Sequence, residues 1–464
     1  MWRTFTHYFC VFVLWTLVAG AAETKPNVIL ILIDDMGWRD LGYVGNRYID
    51  TPNIDRLAKQ GAEFRQCYAS APNCAPSRAS LLTGQYTPRH GVFTVVDDRY
   101  TPGQPYMKVM AVKSRDELPA QTKTLADCLR GKGYATALIG MWNLGRGKNG
   151  STGSPTGRGF DIYQRPDDIG FEKDAYQDAK GSYLSDVLTD EAVDFIEKNK
   201  DKPFFLYFAD HSVHEPFQPK TNLVEKYKAR IAKTDDRGIT PEYAATVEAV
   251  DQNVGHILQS LDKLGLTKDT LIIFTSDNGG LPYVVGSMKG SKGLLYEGGI
   301  RVPGFAVWPG TIPAGKVYDE PVLGMDFMPT ILEATGTPLP KDQPMDGISL
   351  LKQLRTGASL NRGAVFWHFP CYIGKGEPMS LVRAGDYKLI LKYAGPVYEL
   401  YNLKNDPFES KELSKTEPAK LEEMKKLLHA WLKDTQAPLA DQPNPAYDPA
   451  SKEQKGGGHG GKKR

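Results

Sequence analysis

The sequence predicts an α/β fold: a large, mostly parallel sheet between helices, followed by a small C-terminal antiparallel sheet with one helix. Three observations predict it. Continuous apolar runs, several rich in β-branched residues, recur along the chain and alternate with segments of helical periodicity. Three of these runs stop abruptly at polar or acidic residues. Beyond Arg362 the pattern changes to short strand-like runs joined by tight turns.

Residues 1–22 read as a secretory signal. Arg3 supplies a positive n-region, Phe9 to Val18 is an apolar run too short for a comfortable span, and Ala19-Gly20-Ala21 offers small cleavage residues. The competing reading is an uncleaved anchor. No later stretch is long and apolar enough to cross a bilayer. The expectation is a secreted or periplasmic protein.

Asn27 to Ile33 is a strand buried on both faces, as in a parallel sheet. It stops at Asp34-Asp35. Adjacent carboxylates are costly unless a cation lies between them; a solvated turn explains an isolated pair, but here the pattern recurs. Ala135 to Gly140 ends in Met141-Trp142-Asn143. Phe204 to Ala209 ends in Asp210-His211-Ser212-Val213-His214, and Thr270 to Thr275 in Ser276-Asp277-Asn278. Gly304 to Trp308 is a further strand. Between them, Ser185 to Asn199 carries Val187, Leu188, Ala192, Phe195 and Ile196 at helical spacing. Pro241 to Leu264 follows Thr240 as cap, with a stripe of Tyr243, Val247, Val250, Val254, Ile257, Leu258 and Leu261. Ligands bind beyond the carboxyl ends of such strands. One site can therefore collect Asp34, Asp35, His214, Asp277 and Asn278.

The expected division is a catalytic α/β domain over 23–361 and a C-terminal subdomain over 362–440. The latter has strands at Ser380–Arg383, Tyr387–Leu391 and Val397–Tyr401. A helix from Pro418 to Lys433 would present Leu421, Met424, Leu427, Leu428 and Trp431 on one face. Residues 441–464, rich in Pro, Gly and Lys, are expected to be disordered, as a solubilising tail or a polyanion-docking one.

With 464 residues, 41% hydrophobic and 24% charged, the chain sits among ordinary globular proteins. A formal net charge of +2 argues against a nucleic-acid binder driven by bulk charge. The set Asp34, Asp35, Asp277 and Asn278 is all oxygen, which suits Ca²⁺ or Mg²⁺ better than zinc. In Cys74-Ala75-Pro76-Ser77-Arg78, Pro76 favours the first turn of a helix, so a loop would deliver Cys74 to a helix N-terminus. Such an end attracts anions, and Arg78 adds a positive fork for a tetrahedral oxyanion.

Cys74-Ala75-Pro76-Ser77-Arg78 followed by Leu82-Thr83-Gly84 resembles the signature of the type I sulfatases. Asp34-Asp35-Met36-Gly37-Trp38 with Asp40 and Gly42 resembles the family's N-terminal metal stretch, and Ser276-Asp277-Asn278-Gly279 its second. Lys289-Gly290-Ser291-Lys292-Gly293, His214-Glu215-Pro216 and the block Val382 to Ile390 are also similar. The resemblance runs from about Pro26 to Asp448 and is strongest to the arylsulfatase A and N-acetylgalactosamine-6-sulfatase branch. It implies an alkaline-phosphatase-like sandwich around a large mixed sheet. It implies that Cys74 is oxidised to formylglycine before folding, by a formylglycine-generating enzyme. One metal, Ca²⁺ with Mg²⁺ as second choice, would be held by Asp34, Asp35, Asp277, Asn278 and the side chain at Cys74. Arg78, Lys292 and His214 would act on the sulfate of a sulfated carbohydrate or aryl sulfate. Of the five cysteines, Cys10 leaves with the signal; with Cys74 modified, at most one disulfide can form.

One stretch departs from the family. Gly133-Tyr134-Ala135-Thr136-Ala137-Leu138-Ile139-Gly140-Met141-Trp142-Asn143-Leu144-Gly145 keeps the frame of the second signature. Met141 stands where the family has a Lys that bridges nucleophile and sulfate, and Asn143 where it has a His that takes the proton releasing sulfate. Met carries no charge and Asn is no base at neutral pH. Arg146 and Lys148 are the nearby groups able to compensate. Two other readings follow: a non-catalytic sulfoglycan-binding protein on the same fold, and a phosphodiesterase or phosphonate hydrolase of the same superfamily.

Overall fold

Asn27–Ile33 (β1) is buried at every position and lies at the centre of an eight-stranded sheet. The computed structural model describes residues 25–164, 171, 176–178, 180–231, 238–282, 286, 288–374 and 376–452. The signal-like segment and the last residues of the basic tail lie outside them. The other strands of this sheet are Ala62–Phe64 (β2), Ala135–Gly140 (β3), Ile162–Gln164 (β4), Phe204–Asp210 (β5), Thr270–Ser276 (β6), Gly304–Val307 (β7) and Lys316–Tyr318 (β8). Their order is β4-β3-β5-β1-β6-β7-β2-β8. All pairings from β4 to β6 are parallel, whereas β7 runs antiparallel to both β6 and β2. The sheet is thus mixed and mostly parallel, as expected.

The register aligns three strand ends. Ile33 pairs with Asp210 on one side and with Ser276 on the other. Residues just beyond β1, β5 and β6 therefore emerge together. Cys74–Thr83 (α1) covers one face of the sheet and is buried at all ten positions. Leu184–Lys198 (α2) and Pro241–Lys263 (α3) cover the other. The Thr240 hydroxyl accepts from Tyr243 N, which caps α3 as the sequence predicts. Of its stripe, only Leu258 is partly rather than fully buried.

The second sheet is an antiparallel meander of Val365–Phe369 (β9), Met379–Ala384 (β10), Tyr387–Lys392 (β11) and Val397–Asn402 (β12). The sequence reading lacked β9. Pro418–Asp434 (α4) packs on this sheet through Met424, Leu428 and Leu432. Leu427, placed on the packing face from sequence, is 37% exposed, and Leu432 takes its place. The tail is ordered earlier than expected from 441: Gln442 O accepts from Met110 N at 2.8 Å, and Asn444 Nδ2 donates to Gln104 O and Met107 O at 2.9 and 2.8 Å. These backbone partners outweigh a Pro-rich composition. The four cysteines of the described residues are all free. No described helix is long and apolar enough to cross a membrane.

A buried ion cluster ties the second sheet to the short helix that begins at Glu297. Lys388 Nζ on β11 lies 2.9 Å from Glu297 and 2.8 Å from Glu409, with all three side chains at most 1% exposed. Removing one member of a buried pair leaves an uncompensated charge. Lys388→Ala is expected to lower unfolding stability by about 3–5 kcal/mol, read from chemical denaturation.

Candidate active site

Each element end contributes a residue to one buried cluster. Asp34 and Asp35 follow β1, His214 follows β5, Asp277 and Asn278 follow β6, and Cys74 begins α1. The Asn73 side chain does not cap α1; its Nδ2 donates to Thr94 Oγ1 at 2.9 Å. Cys74 Sγ lies 3.5 Å from Asp34 Oδ1. Ligand atoms of Asp34, Asp35, Cys74 and His214 all lie within 4.8 Å of one another. The sequence did not number His214 among metal ligands; here it stands beside them, with Nε2 3.6 Å from Asp35 Oδ2.

Two cations serve the carboxylates. Arg78 is fully buried one turn into α1. Its Nη2 reaches Asp277 Oδ2 at 2.7 Å and Asp34 Oδ2 at 3.0 Å, its Nε donates to Asp277 at 2.9 Å, and its Nη1 donates to Met141 O at 2.6 Å. The fork expected to face an oxyanion is turned onto the acids instead. Lys292 Nζ sits 2.7 Å from Asp35 Oδ1. Its loop is fastened at both sides of the site, through Lys292 N to Gly280 O at 3.0 Å and Gly293 N to Pro72 O at 2.8 Å. Asp35 takes a left-handed backbone (φ 63°), a conformation Asp tolerates. Its own N–H donates to Asp277 Oδ1 at 3.2 Å.

Three buried carboxylates face two cations, so one negative charge is left over. Burial raises the Asp34 carboxyl, but Arg78, then His214 and Lys292, outweigh it and hold Asp34 well below the usual range. The excess falls on Asp277. Burial, and after it Asp34, push its carboxyl up to about 7 against the pull of Arg78. For Lys292, burial works against the charge, and Asp35 reverses it, raising the ammonium well above its ordinary value. Burial and Asp34 push the Cys74 thiol far up. A neutral buried thiol is a poor nucleophile as it stands.

Asn278 Oδ1 is the observation that speaks for a metal. Its amide Nδ2 donates to Asp35 Oδ1 at 2.7 Å and Gly279 O at 3.0 Å, while Oδ1 is buried with no hydrogen-bond partner among the described residues. An orphaned oxygen beside three carboxylates with surplus negative charge fits a hard divalent cation.

The expected and the altered positions meet here. Met141 follows β3, next to β5, and is half-buried with its carbonyl on Arg78. Asn143 is half-buried and left-handed (φ 59°). Arg146 and Lys148 are exposed. Sequence reasoning gave no role to Tyr207, whose buried hydroxyl sits beside Arg78, or to His211. The place of His211 just beyond a strand end was legible and its burial was not; Tyr207 lies within β5.

A family model described as Sulfatase matches residues 26–337, the greater part of the chain. The chain belongs to the sulfatase family. A second model, described as N-sulphoglucosamine sulphohydrolase, C-terminal, matches residues 290–438 of this sulfatase. A sulfatase of Formosa agariphila is 33% identical over 502 residues, 90% of each chain. An N-acetylgalactosamine-6-sulfatase of Mus musculus is 32% identical, covering 80% of this chain and 73% of that one. The crystal structure of Ps i-CgsB in complex with k-i-k-neocarrahexaose superposes with a TM-score of 0.74 at 29% identity, over 91% of this chain and 95% of that one. The sulfatase is accordingly a sulfuric ester hydrolase with the alkaline-phosphatase-like fold.

The Asp277 shift has a sign that can be checked. Its folded pKa lies above the unfolded one, so the metal-free sulfatase loses this contribution as pH rises from the carboxylate range through about 7. A cation must displace that proton. Divalent-metal affinity is therefore expected to rise up to about tenfold per pH unit below 7 and to level off above it, measured by calorimetry with proton release.

Proposed function

We propose that this sulfatase hydrolyses sulfate esters of a sulfated carbohydrate, with formylglycine derived from Cys74 and a bound Ca²⁺. The carrying observation is the placement of residue 74: at a helix N-terminus, buried against Asp34, and inside an oxygen-rich cluster. The thiol there is too basic to serve as the nucleophile itself. The carbohydrate reading is supported by relatives whose names specify N-acetylgalactosamine-6-sulfate and by the oligosaccharide held by Ps i-CgsB.

Asp34, Asp35, Asp277 and Asn278, with the side chain at 74, would hold the ion. When present, formylglycine and Ca²⁺ together supply a hydrated aldehyde with two hydroxyls, one made acidic enough to attack sulfur and the other to expel sulfate. The remaining work falls to side chains. Arg78 locks Asp34 and Asp277 in place and lowers the cost of their proximity. Lys292, 14% exposed, would offset negative charge on the transferring sulfate. His214, 40% exposed in its side chain, stands at the open side and would donate to the leaving sugar oxygen. A formylglycine-generating enzyme is the implied maturation partner, and the signal-like N-terminus supports a secreted or periplasmic location.

Two measurements test this reading on protein made in a host that has the modifying enzyme. Mass analysis of the peptide holding residue 74 is expected to show the aldehyde; an intact alkylatable thiol throughout an active preparation refutes formylglycine. Free sulfate is expected from a panel of sulfated sugars, lost on chelation and restored by Ca²⁺. Faster turnover of phosphate diesters than of any sulfate ester refutes the substrate class.

A further inference from the structure

With Met141 and Asn143 in the altered signature, the base that the family resemblance assigns to sulfate release is missing. The sheet register brings another histidine to that end of the strands. Gly140 pairs with Ala209, and Met141 N donates to Ala209 O at 3.0 Å. On the opposite side, Asp34 N donates to Asp210 O at 2.9 Å. His211, the next residue, is thereby carried between Asp34 and the Met141–Asn143 turn.

Its surroundings suit a proton acceptor. His211 is 8% exposed, and its Nδ1 is buried with no hydrogen-bond partner among the described residues. Buried polar atoms without partners are rare, and each calls for one. The ring packs on Tyr176 at 5.2 Å, and the Tyr176 hydroxyl donates to the carbonyls of His211 and His214 at 3.2 and 3.3 Å. The Asp210 carboxylate is turned to other donors, accepting from Ser212 N at 2.8 Å and from Ser185 Oγ at 2.9 Å. Burial disfavours a charge on the ring. A neutral imidazole is the form that accepts a proton.

We propose that His211 is the proton acceptor for sulfate release, in place of the histidine that Asn143 replaces. The inference rests on the formylglycine reading. In the step, the carbon of residue 74 bears one hydroxyl and one sulfate ester oxygen. His211 takes the hydroxyl proton, and the freed O–H electron pair becomes the second bond of the aldehyde. The bond from carbon to the sulfate oxygen breaks, and its pair leaves with sulfate. His211 then loses its proton to water.

The test compares wild type, His211→Asn, His211→Gln and Asn143→His. Wild-type mass at residue 74 checks the formylglycine reading separately. With the aldehyde present, the His211 variants are expected to give a rapid burst of alcohol close to one per enzyme. A steady rate lower by about 10²-fold or more should follow, and the residue-74 peptide should carry sulfate by mass. Asn143→His added to His211→Asn is expected to restore most of the rate, which a purely structural loss would not allow. An unchanged steady rate, or equal slowing of burst and release with no sulfated peptide, overturns the proposal. If neither His211 variant folds, Asn143→His alone decides: little change is expected, and a gain of about tenfold or more shows that the base was missing and overturns it.

Discussion

The site rests on one electrostatic constraint. Parallel pairing of β1 with β5 and β6 brings three carboxylates to the same buried spot, and nothing in the sheet can separate them. Arg78 makes this arrangement tolerable by bridging Asp34 and Asp277, each from a different strand. Its fork can do so only because α1 is buried on every side against the sheet. The same guanidinium holds the Met141 carbonyl, so the second signature is tied to the carboxylate cluster through Arg78. A bidentate group of fixed charge is required there; Lys offers neither the planarity nor the donor count.

Much of this was legible in the chain because it depends on local pattern. The apolar β-branched runs marked β1 and β6, and the 3.6-residue stripe behind a Thr-Pro cap marked α3. What lay outside local pattern was missed. β9, Val365–Phe369, mixes aromatic and polar residues and becomes a strand only by pairing with β10. Leu427 and Leu432 are separated by register on α4, and the facing sheet selects the latter. The ordering of 442–444 comes from partners more than 300 residues away. In the site, residue types announced their chemistry, whereas the closing of the Arg78 fork onto the acids and the unpartnered nitrogen of His211 are facts of burial.

Asn143 also shows how a signature can change without loss of shape. The position is left-handed, a conformation that Asn and His both adopt more readily than most residues. Exchanging one for the other keeps the turn and removes a base. Gly140 could not vary as freely: at φ 109° an added Cβ would fall 2.1 Å from Ala209 O. The frame around Met141 and Asn143 is thus set by backbone geometry, and the two side chains are its free variables.

The ladder between β1 and β6 has a consequence in time. Asp35 N meets Asp277 Oδ1 across 242 residues of sequence. On a growing chain, β1 and α1 emerge long before the strand that completes their sheet. At about 5–20 residues per second, the delay is roughly 10–40 s. During it, the segment around Cys74 has no finished core to enter, and topology of such high contact order does not hurry the closure. A position that ends 3% exposed is therefore open to an enzyme early in synthesis and shut to it afterwards, with the order of strands acting as the clock.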